Sequence, residues 1–239
     1  GNGFDIIEEN SDIQMSNDKE GVLGFHDGYM LEYLKQKTSK LKEPFLSSIF
    51  TVSSHSPYDQ PMEDVIEWGV SDKGYLNSIY YTDKSIGEFI KSVKKESWYK
   101  NTLFIFVADH AHDTAMAWSR ADKHWHHIPM LFYGDVIKEK YRGVSIDKIV
   151  SQRDIPATLL SQLDIDHSKF EWSRDILCKG YKENAYIMNK NGFGLITNKG
   201  SLTYDLKESR VIYEDMNSSG LRLKGNVYME KLLQTYLDY

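Results

Sequence analysis

Six of the eight histidines fall in three short segments, each next to an apolar run. His55 follows Phe45–Val52. Asp109, His110 and His112 follow Leu103–Val107. Lys123-His124-Trp125-His126-His127 leads into Ile128–Tyr133. Imidazole titrates near neutrality, so it can act as general acid or base, and in its neutral form it offers a nitrogen lone pair to a cation. An Asp-His pair suits a hard or borderline divalent ion, the carboxylate giving charge and the ring a nitrogen donor. Strand side chains alternate faces, so two adjacent residues can both ligate only where the chain leaves strand geometry. Asp109 and His110 stand at such a junction. The same pattern also suits an Asp109 that caps a helix beside a surface His110, and spacing leaves both readings open. His-x-His-His binds metal or lines a wet loop; of the three, His127 is the candidate, in extended chain just before Ile128-Pro129. His55 is a candidate beside the alternative of a polar turn residue near Pro57. His112 and Asp113 continue past the turn and read as supporting or solvent-facing. His26 and His167 have no partner pattern.

Ligands of open parallel sheets bind beyond the carboxyl ends of the strands, so these segments need strands behind them and helices around them. Phe45–Val52 is dense in β-branched and aromatic residues and predicts a buried strand. Leu103–Val107 is nearly continuous in apolar character, as in a strand buried on both faces of a parallel sheet. Ile128–Tyr133 predicts a short strand. Helical spacing predicts helices over Tyr29–Lys40, before Pro44, and over Asp72–Glu96, where Leu76, Ile79, Tyr80, Ile86, Phe89, Ile90 and Val93 form a stripe. A third helix runs from Asp154 to Leu163 with Pro156 in its first turn. After Lys182 four short runs, Ala185–Asn189, Phe193–Thr197, Ser201–Leu206 and Val211–Tyr213, are joined by Asn, Gly and Lys turns and predict an antiparallel meander. Leu223–Leu237 predicts a closing helix. The fold class is therefore α/β followed by a small β appendage.

The chain has 239 residues, 41% of them hydrophobic, enough for a buried core and unlike a disordered tail. A net charge of -6 argues against a non-specific nucleic-acid binder, which needs surplus cations. A lone cysteine, Cys178, excludes an internal disulfide and a Cys-based zinc site. No apolar run is long enough for a membrane span. There is no G-x-G-x-x-G after a strand, no Walker loop and no G-x-S-x-G elbow. The sequence offers metal ligands and imidazoles without an evident nucleophile.

Five pieces stand in this order along the chain: Phe50-Thr51-Val52-Ser53-Ser54-His55-Ser56-Pro57-Tyr58, Tyr80-Tyr81-Thr82-Asp83, Phe106-Val107-Ala108-Asp109-His110, His127-Ile128-Pro129-Met130-Leu131-Phe132-Tyr133 and Asp154-Ile155-Pro156-Ala157-Thr158-Leu159-Leu160. In these the chain resembles the sulfatase-like branch of the alkaline phosphatase superfamily, and within it the lipoteichoic acid synthase and phosphoglycerol transferase group. The resemblance implies a mostly parallel sheet covered by helices on both faces, with residues 1–182 a partial catalytic core and 183–239 a small antiparallel subdomain with a closing helix. It implies that Asp109 and His110 ligate a divalent ion (Mn, Mg, Ca or Zn), that His55 contacts the transferred group, that His127 lies at the site mouth, and that Lys123 helps bind an anionic substrate. The family usually has Gly after Asp-His; here Ala111 stands there, and its methyl fits if φ is negative.

The family's nucleophile and a further acidic ligand precede the first matching segment. The expectation is thus a fragment, inactive alone, of a hydrolase or transferase that works through a covalent intermediate on phosphate or sulfate esters such as those of glycans or phospholipid headgroups. A membrane anchor is expected in the missing N-terminal part, ahead of these residues, with the catalytic domain outside the cytoplasm. The alternative is a non-catalytic α/β module that binds an anionic glycan or lipid headgroup.

Overall fold

This computed structural model describes residues 3–14, 19–113, 118–215 and 218–238. They fall into two compact units, residues 1–104 with 133–138 and residues 105–132 with 139–239.

In the first unit a short antiparallel hairpin, β1 (Glu20–Gly21) and β2 (Gly24–Phe25), leads into helix α1 (Asp27–Thr38). Asp27 in the first turn and Lys35 and Lys37 in the last complement the helix dipole. Helix α2 (Lys73–Val93) starts after Asp72, whose side chain makes no capping hydrogen bond. The unit's core gathers Leu31, Phe89, Val93, Trp98 and Tyr99, with Phe45, Ile49 and Phe104 packed against it. The buried residues of α2 are Asn77, Ser78, Tyr81, Ser85, Phe89 and Val93, not the full apolar stripe; Ile79 and Tyr80 stay exposed. The polar half of this face holds neighbouring chain. Asn77 Oδ1 accepts from the amides of Val65 (2.7 Å) and Ile66 (2.8 Å), and its Nδ2 donates to Ile66 O and Lys73 O. Hydrogen bonding to a loop has displaced a purely apolar register.

Strands β3 (Phe104–Val107) and β4 (Met130–Tyr133) pair with each other. Ala108 N–H donates to Pro129 O, whereas the backbone near Gly134 adjoins Thr102, so the two run in opposite directions. The other ladders, β1–β2 and the meander, are also antiparallel. The mostly parallel sheet expected from Leu103–Val107 is not formed among the described strands, and β3 is half-buried with Val107 exposed. An apolar run signals a strand but does not fix its partner. The strand expected over Phe45–Val52 is also absent: the segment forms no regular element, with Phe50 exposed. Its β propensity meets no ladder partner among the described residues.

In the second unit helix α3 (Ile155–Gln162) follows Asp154 with Pro156 in its first turn. Strands β5 (Asn184–Asn189), β6 (Gly192–Thr197), β7 (Gly200–Asp205) and β8 (Arg210–Glu214) form the expected meander in the order β5-β6-β7-β8. Helix α4 (Leu221–Leu237) closes over it. The core here is Phe193, Leu195, Leu202, Tyr204 and Leu221. Phe193, fully buried, lies between the rings of Tyr186 (5.6 Å) and Tyr204 (5.9 Å) and against Gly225 of α4. No helix among the described residues is long and apolar enough to cross a membrane.

Candidate functional site

His55 belongs to the first unit, and Asp109, His110, Lys123 and His127 to the second. The His55 loop is held from beneath by Asp27, which is 1% exposed. Asp27 Oδ1 accepts from Val52 N (2.8 Å) and Ser53 N (3.1 Å), and Oδ2 from the Thr82 hydroxyl (2.6 Å). Ser53 Oγ in turn accepts from Asp27 N–H at 3.0 Å. The turn continues with His55 N–H donating to Val52 O and Tyr58 N–H to His55 O. The His55 ring is exposed, and its Nδ1 lies 2.8 Å from Ser56 O. A carbonyl can only accept, so Nδ1 carries the proton and Nε2 of the neutral ring keeps its lone pair.

In the second unit Asp109 and His110 stand where β3 ends, and both are exposed. His110 N–H donates to Asp109 Oδ1 at 2.8 Å, and His110 Nδ1–H to Ala111 O at 2.8 Å. In the neutral ring that leaves Nε2 as the acceptor; it lies 3.6 Å from Asp109 Oδ2. Two ligands at about 2.1 Å from one tetrahedral ion lie about 3.4 Å apart, so the pair fits as two donors of one divalent ion. Among the described residues no third His, Cys, Asp or Glu joins them. Ala111 is not among the residues of positive φ, so its methyl is no obstacle to the loop. Beneath the pair, Gln152 Nε2 donates to Ala108 O (2.6 Å) and Asp109 O (2.9 Å).

The turn that carries Gln152 is fixed by an ion pair on the buried Asp154. Asp154, 0% exposed, accepts Arg174 Nε (3.0 Å) and Nη2 (2.8 Å) in a two-pronged bridge, together with the Tyr181 hydroxyl (2.8 Å). Burial and the neighbouring Asp154 carboxylate push the Tyr181 hydroxyl well above its usual pKa.

The segment 118–127 forms a 3-10 turn, Lys123–His126, capped by Asp122, which accepts from His124 N–H (2.9 Å) and its Nδ1–H (2.7 Å). The His124 ring stacks on Trp118 at 4.6 Å. His126 donates Nε2–H to Arg120 O, and burial lowers its pKa. Trp125 Nε1 donates to Asp113, which also pairs with Arg120. Lys123 is engaged by Asp215, so its ammonium ties the turn to the meander. His127 is exposed, and its side chain has no partner among the described residues; the Ala108–Pro129 bond brings its segment alongside the one that bears Asp109.

Sequence reasoning missed Asp27, Gln152 and the Asp154–Arg174–Tyr181 group. Their partners lie 20 to 55 positions away. The Asp at a helix start and the Gln-Arg-Asp turn before Ile-Pro were the only local traces.

The family model for sulfatases matches residues 1–165. Among curated proteins, a lipoteichoic acid synthase-like protein of Bacillus subtilis, YvgJ, is 30% identical over 125 residues, 48% of this chain and 20% of its own length. The lipoteichoic acid synthase of Staphylococcus aureus is 24% identical over 209 residues, 80% of this chain and 31% of its own. The chain thus spans under a third of the curated relatives named. Among solved structures, a Vibrio parahaemolyticus protein of the alkaline phosphatase superfamily is 26% identical with a TM-score of 0.77, covering 98% of this chain and 60% of that one. The lipoteichoic acid synthase LtaP of Listeria monocytogenes has a TM-score of 0.70 at 18% identity, a likeness of fold, over 99% of this chain and 64% of that one.

Proposed function

The chain belongs to the sulfatase family, and on that premise we propose that it is part of the catalytic domain of a metal-dependent enzyme that hydrolyses or transfers phosphate or sulfate esters, of the lipoteichoic acid synthase or phosphoglycerol transferase type. The observation that carries the reading is the Asp109–His110 pair, with carboxylate Oδ2 and ring Nε2 3.6 Å apart on an exposed loop.

A divalent ion held there would supply charge to the ester's anionic oxygens and lower the pKa of a hydroxyl nucleophile. Asp109 and His110 would bind it. His55 and His127 would bind the non-bridging oxygens or protonate the leaving alkoxide, a role suited to imidazole because its ring nitrogens can both donate and accept a proton. In His55 the proton on Nδ1 is committed to Ser56 O, so Nε2 is the atom that would exchange a proton with substrate. Lys123 would act on substrate only after release from Asp215; in its present place it positions the 123–126 turn. The nucleophile, a covalent enzyme ester formed on it, and a further acidic ligand belong to this reading and would come from outside these residues; the support is the 20–31% share of the relatives' length that the chain spans. In the whole domain β3 would lie in a mostly parallel sheet, with 183–239 as the small subdomain. A membrane anchor and a place outside the cytoplasm complete the proposal.

Titrating Mn²⁺ into the 239-residue chain by calorimetry tests the reading. Binding is expected to be weak and to fall at least tenfold in Asp109→Ala. No binding, or the same binding in that variant, overturns it.

A further inference from the structure

We propose that Gln152 is a positioning residue for the Asp109–His110 pair, an inference that rests on the metal reading above. Its amide group donates to Ala108 O at 2.6 Å and to Asp109 O at 2.9 Å. These two carbonyls belong to the peptides on either side of the Asp109 Cα, so a single side chain restrains both backbone torsions of the ligand residue. The second of these peptides is held at its other end as well, since its N–H donates to Asp109 Oδ1 at 2.8 Å. Turning that peptide would break both bonds and swing Oδ2 away from His110 Nε2.

The base from which Gln152 reaches is rigid. It opens the 3-10 turn Gln152–Asp154, where Ser151 and Asp154 form a reciprocal capping box. The same Asp154 is clamped by Arg174 and Tyr181. A third restraint, Ala108 N–H to Pro129 O at 3.4 Å, fixes the loop from the β4 side. The Asp154–Arg174 bridge therefore connects to the metal-ligand candidates through one amide. Groups that orient ligands in this way are worth tenfold to a hundredfold in metal affinity.

The test compares the native chain with Asp109→Ala, Gln152→Met and Gln152→Glu, using Mn²⁺ for affinity, the visible spectrum of Co²⁺ for ligand geometry, and thermal unfolding for the fold. Met keeps the length of Gln without its donors; Glu sets an acceptor against two carbonyl oxygens. Both are expected to weaken Mn²⁺ binding about 10–100-fold and alter the Co²⁺ spectrum, with Tm within about 3 °C of native. Native binding lost in Asp109→Ala but unchanged in both Gln152 variants overturns the inference and leaves the metal reading standing. Native binding indifferent to Asp109→Ala overturns the reading. Long-range proton–nitrogen NMR of His110 in the metal-free chain decides independently. Gln152→Met is expected to shift the two ring-nitrogen signals as the loop loosens, and signals identical to native overturn the inference whether or not metal binds.

Discussion

At the scale of single residues, Asp27 shows how a group without chemistry of its own can govern one that has it. Its buried carboxylate takes three donors, two of them from the backbone that leads to His55. Truncating it leaves two amides and a hydroxyl without an acceptor. Asp27→Ala should therefore cost about 2–4 kcal/mol in urea unfolding, and the amides of Val52 and Ser53 should lose protection from hydrogen exchange. Unchanged protection there would mean that something other than Asp27 holds the loop. The place of Asp109 and His110 at a strand end was legible because the two residues are adjacent and follow an apolar run. Lys123 was legible as a cation but not as an engaged one: Asp215 lies 92 positions away, and no local pattern links them. Gln152 was invisible for the same reason, since a neutral amide has meaning only through the two carbonyls that it meets.

Among the elements, legibility followed how local the determinants are. The four meander strands appear within a residue or two of expectation, because alternation and Asn/Gly turns act over a few positions. The α2 helix was foreseen but its buried face was not, because Asn77 turns toward Val65 and Ile66. Strand identity at Phe45–Val52 failed because a ladder needs a partner that propensity does not supply. Helix α4 gives a test in which two effects oppose. Gly225→Ala would gain about 1 kcal/mol of helix propensity, but the new methyl would fall within the ring of Phe193. That ring is fully buried and flanked by Tyr186 and Tyr204, so it has little room to move. Overpacking of about 1–3 kcal/mol should win, and a lower Tm is the expected outcome. A variant more stable than native would show that the ring yields.

For the molecule as a whole, acid should act in two stages. Burial holds the His126 pKa below its usual value. The unfolded chain then takes up that proton first, so stability present at neutral pH starts to fall below about pH 6.5. Burial pushes the Asp215 carboxyl up, but Lys123 and the N–H and hydroxyl of Ser201 outweigh it and hold it low. At Asp122 burial is likewise outweighed, here by His124. These carboxylates stabilise above about pH 4, and the contribution is lost as pH falls through their folded values. Urea midpoints at pH 7.5, 5.5 and 3.5 should decline in both intervals, with Asp215→Asn flattening the lower one. A level profile from 7.5 to 5.5 would refute the role of His126. The division of the chain has a further consequence. The first unit needs residues 133–138, and the second begins at 105. Neither can be cut free as one uninterrupted stretch, and a ribosome must release residue 138 before the first has all its parts. By then the loop that bears Asp109 and His110 has also emerged from the exit tunnel.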